Sequence, residues 1–406
     1  MEVTDIQYKE SEIGVIPVDW EVKKLFEISG LATGNTPPTN DPTNYGDEFL
    51  FVSPADLGKG KWITQTEKKL SKKGFSISRK FPKNSILFTC IGSTIGKSGM
   101  AQLELTSNQQ INAVIPSSKY SNEFIFYALD YISPRIKLLA GEQAVPIVNK
   151  TLFGETLLAI PPTTSEQTAI ATALSDTDAL IENLEKLIAK KRNIKQGVMQ
   201  ELLTGRKRLE GFDGNWELRK LGDLAEMYSG GTPPTTNDSF YNGDIPWVVI
   251  ADMTKSGKYI YKTDKTITET GLQNSSAKLF KKGVILFAMY ASIGKCTIAQ
   301  MDTACNQAIL GISTKLIDTE FLYYYLVYNE SKFILMGQTG TQSNLNKEIV
   351  QELRIPLPQR NEQIEIAGIL SNIDNEIDVL EQKLRKSQMI KQGMMQALLT
   401  GKIRLV

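Results

Sequence analysis

The chain repeats its own plan once, at a fixed offset of 196 residues. Trp20 recurs as Trp216, and aligning residues 165–209 on residues 361–405 gives 23 identities in 45 positions. The middles of the two copies agree only at scattered points. We therefore expect two similar globular parts, each followed by a shared and less variable element, acting on the two halves of one target.

The composition narrows the class of protein. With 406 residues and 41% hydrophobic content, the chain can bury more than one core. Its start has no basic region followed by an apolar run, and no stretch reaches the roughly 18 uncharged apolar residues of a membrane span. We therefore expect a soluble, cytoplasmic protein that has no membrane partner.

The cysteine and histidine content argues against hydrolytic catalysis in this chain. Its three cysteines are too few and too irregularly spaced for a disulfide framework or a thiolate metal site. Histidine is absent, which removes the commonest general base and the usual partner of a catalytic serine or cysteine. We expect no metal and no catalytic residue here.

Positive charge is concentrated in two strips, although the whole chain has a net charge of only +1. Residues 61–83 carry a net charge of +7, and the matching residues 255–282 carry +5. A solvated surface loop is one interpretation, but recurrence at equivalent places favours a surface that faces phosphates. The candidate contacts are Lys61, Lys68, Lys69, Lys72 and Lys73 in the first strip, and Lys255, Lys258 and Lys262 in the second.

The globular part of each copy has mixed secondary structure. Short apolar β-rich runs, such as residues 85–91 and 284–290, alternate with glycine, proline, asparagine and aspartate. This pattern predicts an α+β part with a twisted sheet. Each part ends in an Ile-Pro turn, at Ile160 and at Ile355.

A long helix is predicted after each of these turns. Apolar residues recur at spacings of three and four, and no proline interrupts the first helix before Gly205. About 39 residues at 1.5 Å each give a rod of roughly 58 Å. The expected apolar interface comprises Ile170, Leu180, Leu184, Leu187 and Ile194 in the first helix, and Ile366, Ile373, Ile377, Leu380 and Leu384 in the second.

A rod with a single apolar stripe is not stable alone, so the two helices should pack on each other. Acidic helix starts and basic helix ends favour an antiparallel pair, which would set the globular parts at opposite ends. An ordinary amphipathic bundle helix is the alternative, but the length and the repetition favour a coiled-coil spacer. The expected fold is α+β with a pseudo-two-fold internal repeat. Its segments are residues 1–160, 161–205, 206–355 and 356–406.

A glycine-rich segment at residues 92–98 suggests a nucleotide site but lacks its geometry. A phosphate-binding loop needs four residues between its glycines, and this segment has three. The second copy lacks the first glycine, so we do not expect nucleotide hydrolysis. Both copies keep Ile-Gly-Lys, which leaves Lys97 and Lys295 either as phosphate contacts or as simple turn lysines.

Two Thr-Pro-Pro loops expose small hydroxyl groups at matching places. Thr36 and Thr232 can donate hydrogen bonds to phosphates or base edges, because the prolines fix the backbone beside them. An architectural turn is the equal alternative.

Loops rich in amide and hydroxyl side chains form another pair, at residues 141–150 and 340–347. Such side chains can hydrogen-bond base edges, and glutamine can bond adenine through two contacts. The candidates are Gln143 in the first loop, and Thr341, Gln342 and Ser343 in the second. The segments at residues 108–110 and 306–307 are similar, but a buried asparagine that ties strands together is the favoured interpretation there.

These features together resemble the specificity subunit of type I restriction-modification enzymes. The lead-ins that end in Trp-Glu carry the resemblance, as does Thr-Gly-x-Thr-Pro, which begins with Ser in the second copy. The motif Lys-Gln-Gly-x-Met-Gln-x-Leu-Leu-Thr-Gly at residues 195–205 and 391–401 is its most specific element. The resemblance covers essentially the whole chain.

The resemblance implies a non-catalytic reader of double-stranded DNA. Residues 1–160 and 206–355 would be two target recognition domains, each binding one half of a bipartite asymmetric site. Residues 161–205 and 356–406 would be conserved helical regions that fix the gap between the half-sites. Two methyltransferase subunits and the restriction and translocase subunits would be the partners. S-adenosylmethionine, ATP and magnesium would be bound by those partners and not by this chain.

Two other classes remain as alternatives. A free-standing DNA-modifying enzyme with fused recognition domains would need a cofactor loop, an Asn-Pro-Pro-aromatic motif or a carboxylate-lysine nuclease cluster, and the sequence has none of these. A coiled-coil scaffold that does not bind DNA would leave the two matching basic strips unexplained.

Overall fold

The chain forms two compact units in a computed structural model that describes residues 7–141, 144–338 and 344–405. Unit 1 comprises Met1–Lys186 together with Glu381–Val406, and unit 2 comprises Leu187–Leu380. Each unit therefore contains one globular part and one stretch of each of two long helices.

Unit 1 begins with small strands and continues into two mixed sheets. Its strands are β1 (Tyr8–Ser11), β2 (Gly14–Pro17), β3 (Glu21–Lys24), β4 (Gly30–Thr33), β5 (Tyr45–Gly46), β6 (Phe49–Val52), β7 (Trp62–Ile63), β8 (Lys68–Leu70), β9 (Lys80–Phe81), β10 (Ile86–Thr89), β11 (Ser98–Ala101), β12 (Leu105–Ser107), β13 (Ile111–Ile115) and β14 (Leu157–Ile160). Its helices are α1 (Leu25–Ile28), α2 (Lys72–Ile77), α3 (Asn122–Leu138), α4 (Lys150–Gly154) and the first part of α5 (Thr164–Leu202).

The two larger sheets of unit 1 each have five strands. One has the order β4-β13-β10-β11-β7 and the other the order β5-β8-β6-β12-β9. In the first sheet β10 lies between two antiparallel neighbours, with Ile86 opposite Met100 on β11 and Val114 on β13. Every residue of β10 is buried, as expected for a central strand that is covered on both faces. The main core of unit 1 lies between this sheet and α3 and includes Phe88 and Phe124.

Unit 2 repeats this architecture. Its strands are β15 (Glu217–Lys220), β16 (Ala225–Ser229), β17 (Tyr241–Val248), β18 (Tyr259–Ile260), β19 (Thr266–Ile267), β20 (Ile285–Ala288), β21 (Cys296–Ala299), β22 (Ala304–Cys305), β23 (Ile309–Thr314) and β24 (Arg354–Leu357). Its helices are α6 (Leu221–Leu224), α7 (Ile250–Lys255), α8 (Glu269–Gln273), α9 (Thr319–Tyr328), α10 (Glu330–Gln338), α11 (Lys347–Gln351) and the first part of α12 (Arg360–Leu398).

The main sheet of unit 2 has the order β16-β23-β20-β21-β18, which matches the first sheet of unit 1 strand for strand. In both sheets the last pair is parallel and the others are antiparallel. The second sheet is shorter in unit 2, with the order β19-β17-β22. The expected α+β class and the internal repeat are thus confirmed.

The helices α5 and α12 each have 39 residues, the length that the sequence predicts. Within unit 1 they run antiparallel, because Thr177 contacts Met394 at 3.4 Å and Asp178 pairs with Lys391 at 2.7 Å. No helix in the described ranges is both long and apolar enough to cross a membrane.

The helices also run antiparallel within unit 2. Lys191 pairs with Glu376 at 2.5 Å, and Lys195 pairs with Asp374 at 2.6 Å. The pair formed by Lys195 and Asp374 is the repeat equivalent of the pair between Lys391 and Asp178, since both residues are displaced by 196 positions. Each unit therefore uses the same contact to join its two helix stretches.

The apolar faces of the helices differ in part from the expected interface. Ile170, Leu184, Ile366 and Ile377 are buried, and Ile373, Leu380 and Leu384 are half-buried. Leu180, Leu187 and Ile194 are 50%, 40% and 42% exposed, so the expectation was wrong for these three. At 3.6 residues per turn they lie roughly 100° around α5 from the buried line through Ile170 and Ile188.

Candidate nucleic-acid interface

In unit 1 the Thr-Pro-Pro loop is held against the turn between β12 and β13. The Thr36 hydroxyl donates to the side-chain oxygen of Gln109 at 2.6 Å, and the Tyr45 hydroxyl donates to the carbonyl oxygen of Pro37 at 3.2 Å. A methyl group at Gly34 would collide with the carbonyl oxygen of Asn108, so only glycine allows this approach of the two backbones. Gln109 itself is exposed.

Unit 2 contains the same construction. The Thr232 hydroxyl donates to the side-chain oxygen of Gln307, and the Tyr241 hydroxyl donates to the carbonyl oxygen of Pro233 at 2.6 Å. Gly230 lies against the carbonyl oxygens of the turn between β22 and β23, as Gly34 does in unit 1. The two Thr-Pro-Pro loops are therefore parts of a repeated two-loop platform. Each platform exposes a glutamine, and the neighbouring Asn108 and Asn306, which the sequence predicts to be buried strand ties, are half-buried.

Two of the lysines from the basic strips have another role. The Lys61 side chain is only 5% exposed, and its ammonium group pairs with Glu123 and donates to the Ser175 hydroxyl at 3.0 Å. The Lys258 side chain is 10% exposed and pairs with Glu320 at 2.9 Å. An ammonium group enclosed in this way is not available to a phosphate. The assignment of Lys61 and Lys258 to the DNA surface is therefore corrected: they attach the globular part to the long helix.

The other candidate lysines lie nearer the surface. Lys68 and Lys69 line an open groove with Thr39 and Asp47, next to the Thr-Pro-Pro loop of unit 1. The exposed ones are Lys68, Lys72, Lys73, Lys97, Lys255 and Lys262, whereas Lys69 and Lys295 are half-buried.

Two of these lysines are engaged by carboxylates within the protein. Lys73 pairs with Asp41 at 2.7 Å, and Lys255 pairs with Asp264 at 2.5 Å. The hydrogen bond from Lys73 lowers the pKa of the Asp41 carboxyl to about 2. The four loop candidates Gln143, Thr341, Gln342 and Ser343 lie outside the described residues.

A buried polar contact joins each globular part to the helices of its own unit. In unit 1 the Tyr127 hydroxyl on α3 donates to Asp178 on α5 at 2.8 Å, and Asp178 also pairs with Lys391 on α12. Burial, together with the nearby Asp178 carboxylate, raises the pKa of Tyr127. The phenol therefore stays protonated and acts as a donor.

Unit 2 has the equivalent contact. The Tyr324 hydroxyl on α9 donates to Asp374 at 2.7 Å, and Asp374 pairs with Lys195. Burial raises the pKa of Tyr324 as well. We call the set of Tyr127, Asp178 and Lys391 the unit 1 joint, and the set of Tyr324, Asp374 and Lys195 the unit 2 joint.

A second repeated contact lies at the start of each long helix. Arg404 makes two hydrogen bonds to the buried carboxylate of Glu166 and two to Asp19. In unit 2 Arg208 makes two hydrogen bonds to the buried carboxylate of Glu362. Planar two-point pairing of this kind satisfies a carboxylate that would otherwise be costly to bury.

The sequence contains a signal for these contacts that the spacing of apolar residues does not reveal. Glu166, Ser175, Asp178 and Lys195 are each identical to the residue 196 positions later. A polar residue that is kept in an amphipathic helix at both copies points to a specific partner. Charge counting and apolar spacing both ignore that information.

Comparison with known proteins agrees with this geometry. The model of the family described as "Type I restriction modification DNA specificity domain" matches residues 17–191 and again residues 213–387. These two matches cover most of the chain and correspond to its two copies. The chain belongs to this family.

Similar proteins carry consistent names. The type I restriction enzyme MjaIX specificity subunit of Methanocaldococcus jannaschii is 29% identical over 364 residues, which cover 83% of this chain and 82% of that protein. The MjaVIII specificity subunit of the same organism is 25% identical over 411 residues, covering 96% and 94%. The crystal structure of a type I restriction-modification S subunit from M. genitalium has the same fold, with a TM-score of 0.64, 16% identity and 98% coverage of both chains.

Proposed function

We propose that this chain is the DNA specificity subunit of a type I restriction-modification complex and reads a bipartite, asymmetric site. The observation that carries the proposal is the repetition of one globular part and one long helix, with a specificity-domain match over each copy. Two domains of one fold with different surfaces suit two half-sites of different sequence. Residues 1–160 and 206–355 would be the recognition domains, and residues 161–205 and 356–406 the helical regions.

The DNA surface of each unit would combine phosphate contacts with base contacts. The exposed lysines suit phosphates: Lys68, Lys72, Lys73 and Lys97 in unit 1, and Lys255 and Lys262 in unit 2. The half-buried Lys69 and Lys295 would add positive charge to the same surfaces. Thr36 and Thr232 would set the platforms beside the duplex. Gln143, Thr341, Gln342 and Ser343 have the donors and acceptors that base edges require.

The helices would carry the partner subunits. In unit 1, Leu180 on α5 and Met389 and Ile390 on α12 are exposed. In unit 2, Leu187 and Ile194 are exposed on α5. Apolar side chains on the outside of a helix pair are suited to packing against further helices, here those of two modification subunits.

Catalysis would belong to the partners. The modification subunits would bind S-adenosylmethionine and methylate adenine, and the restriction subunits would use ATP and magnesium to translocate and cleave DNA. This chain would act in the cytoplasm, where the DNA of the cell is accessible, and would contribute no catalytic residue.

The direct test is genome-wide mapping of adenine methylation in a host that carries this chain with its modification subunit, compared with a deletion of this chain alone. We expect one bipartite methylated motif to disappear in the deletion strain. An unchanged methylation pattern, with the modification subunit expressed and active, would contradict the proposal and favour the scaffold alternative.

A further inference from the structure

The exposed glutamine of each platform is held in a fixed position. In unit 1 the Asn108 side chain closes the turn around it, because its oxygen accepts from the backbone N–H of Gln110 at 3.1 Å and its amino group donates to the Gln110 side chain at 3.0 Å. In unit 2 the Asn306 oxygen accepts from the backbone N–H of Ala308 at 3.2 Å. Gln109 and Gln307 therefore lie at the tips of turns that the asparagine side chains hold in place.

The hydrogen bonds from the threonines occupy the oxygen atom of each glutamine side chain and not its amino group. The Oε1 atoms of Gln109 and Gln307 accept from the hydroxyls of Thr36 and Thr232. The amino group, which carries two N–H donors, is then the part that remains for a ligand. A donor group on a rigid turn suits a ligand that presents hydrogen-bond acceptors.

A cationic side chain lies beside each platform. In unit 1 the Arg79 guanidinium donates to the carbonyl oxygen of Thr33 at 2.6 Å, and the Arg79 backbone N–H donates to the side chain of Asn35 at 2.6 Å. Asn35 belongs to the loop that contains Thr36, and Thr33 is the last residue of β4, which leads into that loop. Arg79 is exposed, so it adds positive charge to this surface.

The cation of unit 2 is Lys278. Its ammonium group lies 4.1 Å from the centre of the Tyr228 ring. Tyr228 belongs to β16, the strand that leads into the Thr-Pro-Pro loop of unit 2. The backbone of the neighbouring Ala277 packs directly against Gly231, which precedes Thr232. Arg79 and Lys278 thus occupy the same place, two residues before the aligned Phe81 and Phe280.

We propose that each platform is a phosphate clamp, in which Gln109 with Arg79, and Gln307 with Lys278, bind the DNA backbone at the two half-sites. This inference rests on the proposed function. Two recognition domains that read different bases have the sugar-phosphate backbone in common, and the platform is a surface feature that both units have. Amide and cationic donors match phosphate oxygens, and such contacts set the position of a protein on the duplex.

The experiment measures binding of the complex of this chain with its modification subunits to a duplex that contains the mapped site. Gln109→Ala and Gln307→Ala should each weaken binding roughly tenfold, the size expected for one hydrogen bond to a charged acceptor. Neither should alter the salt dependence, because a neutral amide releases no counterion. Arg79→Gln and Lys278→Gln should each lower the slope of log affinity against log salt by about 0.9.

Two further variants separate contact from folding. Gln102→Ala removes an exposed glutamine elsewhere in unit 1 and should leave binding unchanged. Gln109→Glu keeps the size and the bond from Thr36 but brings a negative charge to the phosphate. It should therefore weaken binding more than Gln109→Ala, and most strongly at low salt. Equal melting temperatures for all variants would establish that the fold is intact.

The base preferences, measured on duplexes with randomised half-sites, decide between backbone and base contact. We expect them to be unchanged in every variant. A changed preference at one position would mean that the glutamine reads a base, and an unchanged affinity would mean that it does not touch DNA. Either result overturns the clamp. Failure of the unmodified complex to bind DNA would instead refute the proposed function.

Discussion

The two units are most alike where they join their helices and least alike on their outer surfaces. The unit 1 joint and the unit 2 joint contain the same three residue types with nearly equal distances. Lys61 and Lys258 repeat a second contact, each with a glutamate and with a serine on the long helix. The residues that are kept are those that hold each globular part on its helices.

The outer surfaces differ even where the backbone is equivalent. The helices α2 and α8 start after matching caps at Ser71 and Thr268, but the first helical residue is Lys72 in unit 1 and Glu269 in unit 2. This substitution reverses the charge at one place on the surface. The attachment to the helices is therefore constant while the exposed face varies, as a modular reader requires.

The strongest test of this comparison is to exchange residues 19–160 for another recognition domain of the family. We expect one half-site to change completely and the other to stay the same, because the exchanged part carries the variable surface. Methylation mapping of the hybrid gives both half-sites at once. A change in both half-sites would refute the modular interpretation.

A change in the helices should have the opposite outcome. Inserting one helical turn near Leu184 and a second near Leu380 lengthens each rod by roughly 6 Å, since each residue adds 1.5 Å. We expect a longer gap between two unchanged half-sites in the methylated motif. Altered half-site sequences would show that the helices do not act only as a spacer.

The largest effect on stability should come from Arg404. Arg404→Met leaves the buried Glu166 carboxylate without its partner and should lower the free energy of unfolding by about 3 kcal/mol. Urea unfolding measures the loss, and Lys402→Met, which removes an exposed neighbouring charge, is the control. Equal midpoints for the two variants would contradict this role.

The same contact should make unit 1 sensitive to acid. The hydrogen bond from Arg404 lowers the pKa of the Asp19 carboxyl below its ordinary value of 3.8. A lowered pKa in the folded state stabilises the protein above the unfolded pKa, and this contribution is lost as the pH falls through the folded pKa. Arg404→Met should therefore reduce the fall in stability between pH 5 and about pH 2.

The sequence predicted those parts of the fold that depend on local pattern. The two 39-residue helices followed from uninterrupted spacing of apolar residues, and the two mixed globular parts followed from the repeat. The expected burial of Leu180, Leu187 and Ile194 was wrong, because apolar type alone does not determine which face of a helix is buried. Polar residues such as Asp178 and Lys391 supply part of that interface.

The sequence predicted less of the candidate DNA-binding surface than of the fold. Lys61 looked like a surface lysine, because its partner Ser175 lies 114 residues away in the chain. The sequence does not show that Gln109 and Thr36 lie together, because the bond between them spans 73 residues. Contacts at such separations depend on tertiary packing, which neither charge counts nor periodicity records.

Weakening the unit 1 joint or the unit 2 joint should lower the free energy of unfolding by a smaller amount. Tyr127→Phe removes one hydrogen bond to a carboxylate and should cost about 1.5 kcal/mol. Tyr324→Phe should cost more, because the Tyr324 hydroxyl also accepts from Lys258 at 3.1 Å. Urea unfolding of both variants, with the exposed Tyr261→Phe as the control, compares the two joints. A larger loss for Tyr127→Phe would contradict the ranking.

The smallest expected effect concerns an ion pair that only unit 1 has. Asp41 pairs with Lys73 at 2.7 Å, whereas the equivalent residues of unit 2 are Asn237 and Thr270. Asp41→Asn gives unit 1 the residue of unit 2 at this position and releases the Lys73 ammonium group. If Lys73 contacts a phosphate, the variant should bind site-containing DNA a few-fold more tightly at low salt, with a slope against log salt steeper by about 0.9.

The double variant Asp41→Asn with Lys73→Gln is the control for that gain. It should lose the added affinity and the added salt dependence together, because both depend on the released ammonium group. Binding that stays tighter in the double variant would mean that removal of the Asp41 charge acts directly on the DNA. In that case the acidic side chain, rather than the lysine it holds, would distinguish the outer surface of unit 1 from that of unit 2 at this position.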